Sequence, residues 1–272
     1  MVSILIFSHR SSFFGRSSCI IFKRHYQTLF VSDLCERVLN LLTGEDDIWN
    51  VFITAVHLLC VAICFFGCRF VYLVLKTSTN IVRILPKQHK DKTISTMIVV
   101  GSGGHTTEML RLMNVMTPNL YCPRTYVMAS SDSTSEFKIH VLEEHLATKA
   151  SRKFRKYSIF KIPRSRHVGQ SFFSSAFSTL YSFLRCVPMM LYHRPELVLC
   201  NGPGTCVPIC ILAFLLRTLF LSNTMIVFIE SVCRVQTISM TGKILYYFAD
   251  IFLVQWPDLE QRYSRVAYVG RV

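Results

Sequence analysis

Acidic residues are scarce along this chain: 16 Asp and Glu face 30 Lys and Arg in 272 residues, a formal net charge of +14. Met1 to Ser32 contain no acid at all. Such an excess suits nucleic acid, an anionic membrane surface or a phosphorylated substrate, and charge alone does not choose among them. No nucleic-acid-binding motif accompanies the charge, which disfavours nucleic acid. Cys-x-x-Cys pairs are missing although there are eleven cysteines. The cysteines are scattered, and Cys60, Cys64, Cys68, Cys206 and Cys210 lie inside apolar runs, so they read as reduced packing residues rather than a disulfide framework. Cys206 and Cys210 would place two sulfurs on one helix face without further ligands, and neither a metal site nor a cofactor is expected. The Walker phosphate loop, internal repeats and low-complexity tracts are also missing.

Apolar residues, by contrast, are abundant. They make up 51% of the chain, and the mean hydropathy of +0.38 is high for a wholly soluble protein. From Ile48 to Leu75 the run is almost continuously apolar, with His57 and Arg69 as its ionisable interruptions. About 20 such residues suffice to cross a bilayer as a helix, so residues 48–75 are expected to form a transmembrane anchor. Placing Val51 to Cys68 in the hydrocarbon leaves Arg69 at one interface, where its side chain can snorkel; His57 reads as a neutral group near the other leaflet rather than a proton relay. Glu45, Asp46 and Asp47 precede the run, and Lys76, Arg83, Lys87, Lys90 and Lys92 follow it. The positive-inside rule then puts the C-terminal domain in the cytosol. Residues 1–47 read as a lumenal tail, a targeting segment or a misplaced start.

After a basic linker, residues 76–95, short β-rich runs alternate with longer helical segments, the pattern of an α/β domain with a Rossmann-like parallel sheet over residues 96–272. Strands are predicted at Thr96–Val100, Thr125–Ala129, Ile159–Ile162, Leu197–Cys200, Met225–Ile229, Ile251–Gln255 and Ala267–Val269. Helices are predicted at Thr106–Met116, Ser135–Ala147, Gly169–Tyr192, Cys206–Leu221 and Gly242–Ala249. The helix from Cys206 is apolar enough to suggest a second span, but its short apolar core and Arg217 favour a buried or membrane-lying domain helix.

Three strand ends carry polar or glycine-rich turns. The first strand runs into Gly101, Ser102, Gly103, Gly104, His105 and Thr106, where a glycine turn and a helix N-terminus offer N–H groups to a phosphate or diphosphate. As a dinucleotide fingerprint it is incomplete, because Thr106 stands where the third glycine belongs. A second turn, Asn201, Gly202, Pro203, Gly204 and Thr205, follows the fourth strand, and parallel strands would bring both turns to one sheet edge. A stiff structural turn is the plainer reading of that segment. Glu230 ends the strand in Phe228–Ser231, placed to accept sugar hydroxyls or a proton, or to cap a helix. Between Lys149 and Arg166 stand eight Lys or Arg and no acid, interleaved with Phe154, Tyr157 and Phe160. That segment suits anionic headgroups or a diphosphate, or is merely a solvated basic loop.

The set GSGGHTTEML, NGPGTCVP, FIES, DIFLVQWPDLEQRY and AYVGRV, in this order over Met97 to Val272, resembles the membrane-anchoring subunit family of the eukaryotic UDP-N-acetylglucosamine transferase that makes chitobiosyl-diphosphodolichol. That family is similar to the acceptor-binding half of the bacterial lipid-linked muropeptide GlcNAc transferase, a GT-B fold split between two chains. The resemblance implies a catalytic, UDP-GlcNAc-binding partner subunit, a GlcNAc-diphosphodolichol acceptor and the endoplasmic reticulum membrane. It also implies inverting attack of the acceptor C4 hydroxyl on the donor. On this side of the cleft His105 and Glu230 are the candidate bases, with the two glycine turns holding the acceptor diphosphate. The C-terminal segment resembles the region that docks the partner, with Phe252, Val254, Trp256, Tyr268 and Gly270 as candidate contacts. Residues 1–47 depart from the family's short lead into its anchor. Two other classes stay open: a self-sufficient single-domain membrane reductase, with Asp132 reading a nucleotide 2′-hydroxyl, and a scaffold without ligand.

Overall fold

The structure is a computed structural model that describes residues 48–79, 93–164, 170–202 and 204–271. Expectations for residues 1–47, for most of the basic linker, for Arg166 and for Pro203 fall outside the described residues. The elements follow in the order α1 (Ile48–Thr79), β1 (Thr96–Val99), α2 (Gly104–Val115), β2 (Arg124–Ala129), α3 (Ser133–Lys149), β3 (Tyr157–Ile162), α4 (Phe172–His193), β4 (Leu197–Asn201), α5 (Cys206–Thr218), β5 (Met225–Ile229), α6 (Met240–Leu245), β6 (Ile251–Val254), α7 (Pro257–Arg262) and β7 (Val266–Tyr268). The seven strands form one parallel sheet in the order β3-β2-β1-β4-β5-β6-β7.

Strands β1, β2 and β4 are buried at every position, as parallel strands covered on both faces must be. Alternation then divides their side chains between two cores. Met97, Val99, Val198 and Cys200 face a cluster built with α4 and α5, while Ile98, Tyr126, Leu197 and Leu199 face one built with α2 and α3. The strand order reverses between β1 and β4, so the turns that follow these two strands flank the crevice where α/β sheets bind ligands.

Helix α1 is the one described helix long and apolar enough to cross a membrane. Its 32 residues span about 48 Å at 1.5 Å per residue, more than the roughly 30 Å of hydrocarbon. The chain divides between Phe65 and Phe66, and the part of α1 beyond this point belongs with the sheet domain. There Phe70, Leu73 and Val74 join the α4–α5 core, with Phe70 edge-on to Phe214 at 5.3 Å. Arg69 does not snorkel as expected. Its Nε donates to the Thr218 carbonyl at 2.8 Å and Nη2 to the Arg217 carbonyl at 3.1 Å, at the C-terminal end of α5. The guanidinium lies 3.3 Å from the centre of the Phe220 ring. A cation at a helix C-terminus meets both the unpaired carbonyls and the negative end of the dipole.

Two elements differ from expectation. Helix α6 begins at Met240, capped by the Ser239 hydroxyl, and ends at Leu245 rather than running from Gly242 to Ala249. Helix α7 was not anticipated, although Pro257 at its start and Asp258 and Glu260 in its first turn are helix-start signals.

On β2, Arg124 grips Glu143 of α3 through two bonds of 2.7 Å, and the Tyr126 hydroxyl donates to the same carboxylate at 2.6 Å, all buried. Arg124→Leu strands Glu143 and should cost about 3–5 kcal/mol. Thermal unfolding of the detergent-solubilised chain should then show a Tm lower by about 10 °C; an unchanged Tm would contradict the pair's role.

Candidate functional site

The edge at the carboxyl ends of β1, β4 and β5 is assembled from backbone first. Gly103 caps α2 in a conformation (φ 64°, ψ −121°) that side chains rarely adopt, and no side chain caps that helix start. A Cβ at Gly103, Gly104 or Gly204 would meet nothing within 4 Å, so the approach to the first turn of α2 is open. At the far side of the turn, the Arg164 guanidinium donates to the Ser102 hydroxyl at 3.3 Å, bringing one cation of the basic segment to the glycine loop. Gly202 also has a positive φ of 64°, and a Cβ there would lie 2.7 Å from Nδ1 of His105. Only glycine lets that imidazole lie against the β4 turn.

A cleft of about 460 Å³ opens beside this edge, lined by Gly104, His105, Glu108, Gly202, Glu230, Ser231, Arg234 and Met240 among others. A polar network forms its floor. Nδ1 of His105 and Oδ1 of Asn201 are 3.0 Å apart, and the Asn201 amide nitrogen donates to Oε2 of Glu108 at 2.8 Å. A carboxylate oxygen accepts, so the amide nitrogen must face Glu108 and Oδ1 must face the imidazole. Oδ1 cannot donate, so His105 carries a hydrogen on Nδ1, and in the neutral ring the lone pair is then on Nε2. Glu108 is further held by the Ser231 hydroxyl at 3.0 Å, the Gln255 amide at 3.3 Å and the Val232 N–H at 3.4 Å.

Not every expected site residue reaches this cleft. Ser102, Gly103, Gly104 and Gly204 are exposed, and Gly202 and His105 are half-buried. Gly101 is buried, and Thr106 is buried with its hydroxyl given to the Gly101 carbonyl at 2.6 Å, so Thr106 fastens the loop rather than facing a ligand. Asn201, also buried, has its amide engaged by His105 and Glu108 and holds the site instead of an anion. Thr205 is buried, with no partner for its hydroxyl among the described residues. Glu230 is fully buried, its two oxygens accepting from Ser231 N at 3.0 Å and Ser239 N at 2.7 Å, so that carboxylate pins a loop. Gly242 closes over it, since a Cβ there would lie 2.5 Å from Oε2.

The C-terminal expectations divide in the same way. Phe252 and Val254 point into the core, Phe252 with its ring 4.9 Å from Phe228, because inward and outward positions alternate along β6; the structure corrects their reading as surface contacts. Trp256 is half-buried, donating its indole N–H to the Val232 carbonyl at 2.6 Å with Arg271 stacked 4.3 Å from its ring. Tyr268 and Val269 are exposed, and Gly270 turns the chain with φ 82°. Asp132, the candidate nucleotide reader, accepts from the Ser135 N–H at 3.1 Å and hydroxyl at 2.6 Å as the N-cap of α3, so its carboxylate is already occupied.

Residues 96–272 match the family described as oligosaccharide biosynthesis protein Alg14 like. The chain belongs to that family. Among its relatives, the protein of Mus musculus named UDP-N-acetylglucosamine transferase subunit ALG14 is 49% identical over 183 residues, 66% of this chain and 84% of the mouse protein. Its namesake in Homo sapiens is 48% identical over 182 residues, 66% of this chain and 84% of the human one. That of Schizosaccharomyces pombe is 43% identical over 179 residues, 65% and 82% respectively. The solved structure of MurG from Acinetobacter baumannii aligns with a TM-score of 0.40 at 13% identity, covering 66% of this chain and 44% of MurG.

Sequence reasoning passed over Glu108, Gln255 and Arg234. The signal for Glu108 was present: it stands three residues after His105 on an amphipathic helix, which sets both on one face. Gln255 and Arg234 left no such mark, since only the fold brings their loops to the cleft.

Burial raises the pKa of the Glu230 carboxyl above its ordinary value, against the opposing pull of the Ser239 and Ser231 bonds and of Arg234. The folded chain thus keeps this proton at pH values where the unfolded chain, titrating near about 4.3, has lost it. Its contribution to stability therefore falls as pH rises from the ordinary carboxyl value to the raised one. Urea unfolding of wild type and Glu230→Gln across this range should show the wild type losing ground to the variant as pH rises; parallel curves would refute the raised value.

Proposed function

We propose that this chain is the membrane-anchored, acceptor-side subunit of a two-chain UDP-GlcNAc transferase that adds the second GlcNAc to GlcNAc-diphosphodolichol at the cytosolic face of the endoplasmic reticulum. The observation that carries the reading is the open glycine turn of α2 beside the presented Nε2 of His105, on a chain whose family relatives are named as transferase subunits. The span-length helix α1 and the basic residues after it support the anchor and its orientation.

In this reading the acceptor diphosphate lies against the N–H groups of Gly103 and Gly104, the start of α2 and the cation of Arg164. The sugar then reaches over His105. Nε2 takes the proton of the C4 hydroxyl as its oxygen bonds to the anomeric carbon of UDP-GlcNAc. The carbon–oxygen bond to UDP breaks with inversion, and the electron pair leaves with the diphosphate. His105 is the better of the two candidate bases because both oxygens of Glu230 are bound by backbone N–H groups. The donor site belongs to the partner chain. Of the docking candidates, Trp256, Tyr268 and the Gly270 turn remain, joined by the exposed Val269.

Co-expression with the donor-binding subunit tests both halves. Gly103→Val should cut GlcNAc transfer to GlcNAc-diphosphodolichol by about 100-fold, the scale of removing a preorganised anion contact, while the partner still co-purifies. Tyr268→Asp should release the partner from the membrane fraction with the Tm of this chain unchanged. Full transfer by the first variant sinks the diphosphate cradle, and undiminished co-purification of the second sinks the docking edge.

A further inference from the structure

Glu108 is a carboxylate that the reaction above leaves without a task, and it is only 7% exposed. Its two oxygens divide the work unequally. Oε2 accepts from Asn201, Gln255 and Val232, all of them N–H donors, and Oε1 accepts from the Ser231 hydroxyl. Three parallel strands and a helix thus send a donor or a carboxylate to one point: Asn201 ends β4, Ser231 follows β5, Gln255 follows β6, and Glu108 itself rides on α2. Asn201 is the only one of these partners that also touches His105.

We propose that Glu108 is a positioning residue for His105: acting through Asn201, it fixes Nε2 as the nitrogen that receives the acceptor hydroxyl proton and offsets the positive charge that then develops on the ring. This inference rests on the assignment of His105 as base under the proposed function. The argument is one of donors and acceptors. Were the Asn201 amide reversed, its oxygen would face Oε2 of Glu108 with no hydrogen between them, and its nitrogen would point at the imidazole. The ring would then carry its hydrogen on Nε2, with no lone pair toward the cleft. The carboxylate forbids that reversal. Gly202 supplies the complementary restraint, because the ring lies where its Cβ would be. Once Nε2 takes the proton, the imidazolium and the carboxylate are linked by two hydrogen bonds in a partly buried site, where charges are screened less than in water.

Glu108→Gln separates this role from a structural one. With its oxygen in the Oε2 position and its amide nitrogen toward the Ser231 hydroxyl, which can also accept, glutamine preserves every hydrogen bond and removes only the charge. In the reconstituted complex with GlcNAc-diphosphodolichol and UDP-GlcNAc, His105→Gln should lower kcat by about 10²–10⁴-fold. Glu108→Gln should lower kcat by about 10-fold or more, part of the same effect, with the acceptor KM within about twofold and partner co-purification unchanged. In the His105→Gln background it should cost nothing further. An unchanged kcat in Glu108→Gln, or an equal loss in both backgrounds, would overturn the charge-offset role, because glutamine keeps the orientation of Asn201 and removes only the charge. Full activity of His105→Gln would remove the base assignment and this inference with it, whereas loss there with an indifferent Glu108→Gln overturns this inference only. A further measurement needs no Glu108 variant: ¹⁵N spectra of the histidine-labelled chain, with His105 assigned by its loss in His105→Gln, should show hydrogen on Nδ1. Hydrogen on Nε2 overturns the proposal.

Discussion

A carboxylate placed in the interior of a sheet edge is tolerated only when donors converge on it, and at Glu108 they do. Asn201 ends β4 and Ser231, Val232 and Gln255 follow β5 and β6, and these strand ends are brought together by the parallel register. Much else in the cleft depends on this convergence. The orientation of Asn201 follows from Glu108, the tautomer of His105 follows from Asn201, and the place of the imidazole follows from Gly202. Glu230 performs a parallel service one strand further on, pinning the loop that leads into α6. The two carboxylates, which a list of acidic residues would offer as equivalent, therefore hold different things: one a side chain, the other a backbone segment.

The C-terminal turns of α1 join the sheet domain by similarly specific chemistry. A helix about 48 Å long exceeds the hydrocarbon thickness by several turns, and its surplus is built into the α4–α5 core through Phe70, Leu73 and Val74. Arg69 closes that junction on the carbonyls that end α5. The final turns of α1 are thus part of the domain's own hydrophobic core.

Much of the fold was legible in the residues. Every strand of the sheet was foreseen within about two residues at each end, because buried parallel strands are short β-branched runs bounded by turn residues. The long apolar helix and the glycine turn after β1 were equally plain. The misreadings share a cause. Phe252 and Val254 were read as surface from their chemistry, yet alternation along β6 turns them inward. Thr106 and Asn201 were read as holding a diphosphate and Glu230 as a base or a helix cap, yet each is held by a neighbour that sequence distance conceals.

The sequence by itself determined the class: a span-length apolar helix, a basic flank and a βα alternation with glycine turns at strand ends. Those features are local, and local pattern is what periodicity, turn chemistry and hydropathy report. Only the tertiary structure decided which polar groups meet. Asn201 lies 93 residues from Glu108 and Gln255 lies 147 residues from it, and hydrogen bonds of that range exist only once seven strands share one register. The glycine turn is thus legible along the chain, but the imidazole beside it, its Nδ1 held by Asn201 at the cleft, is a property of the folded edge.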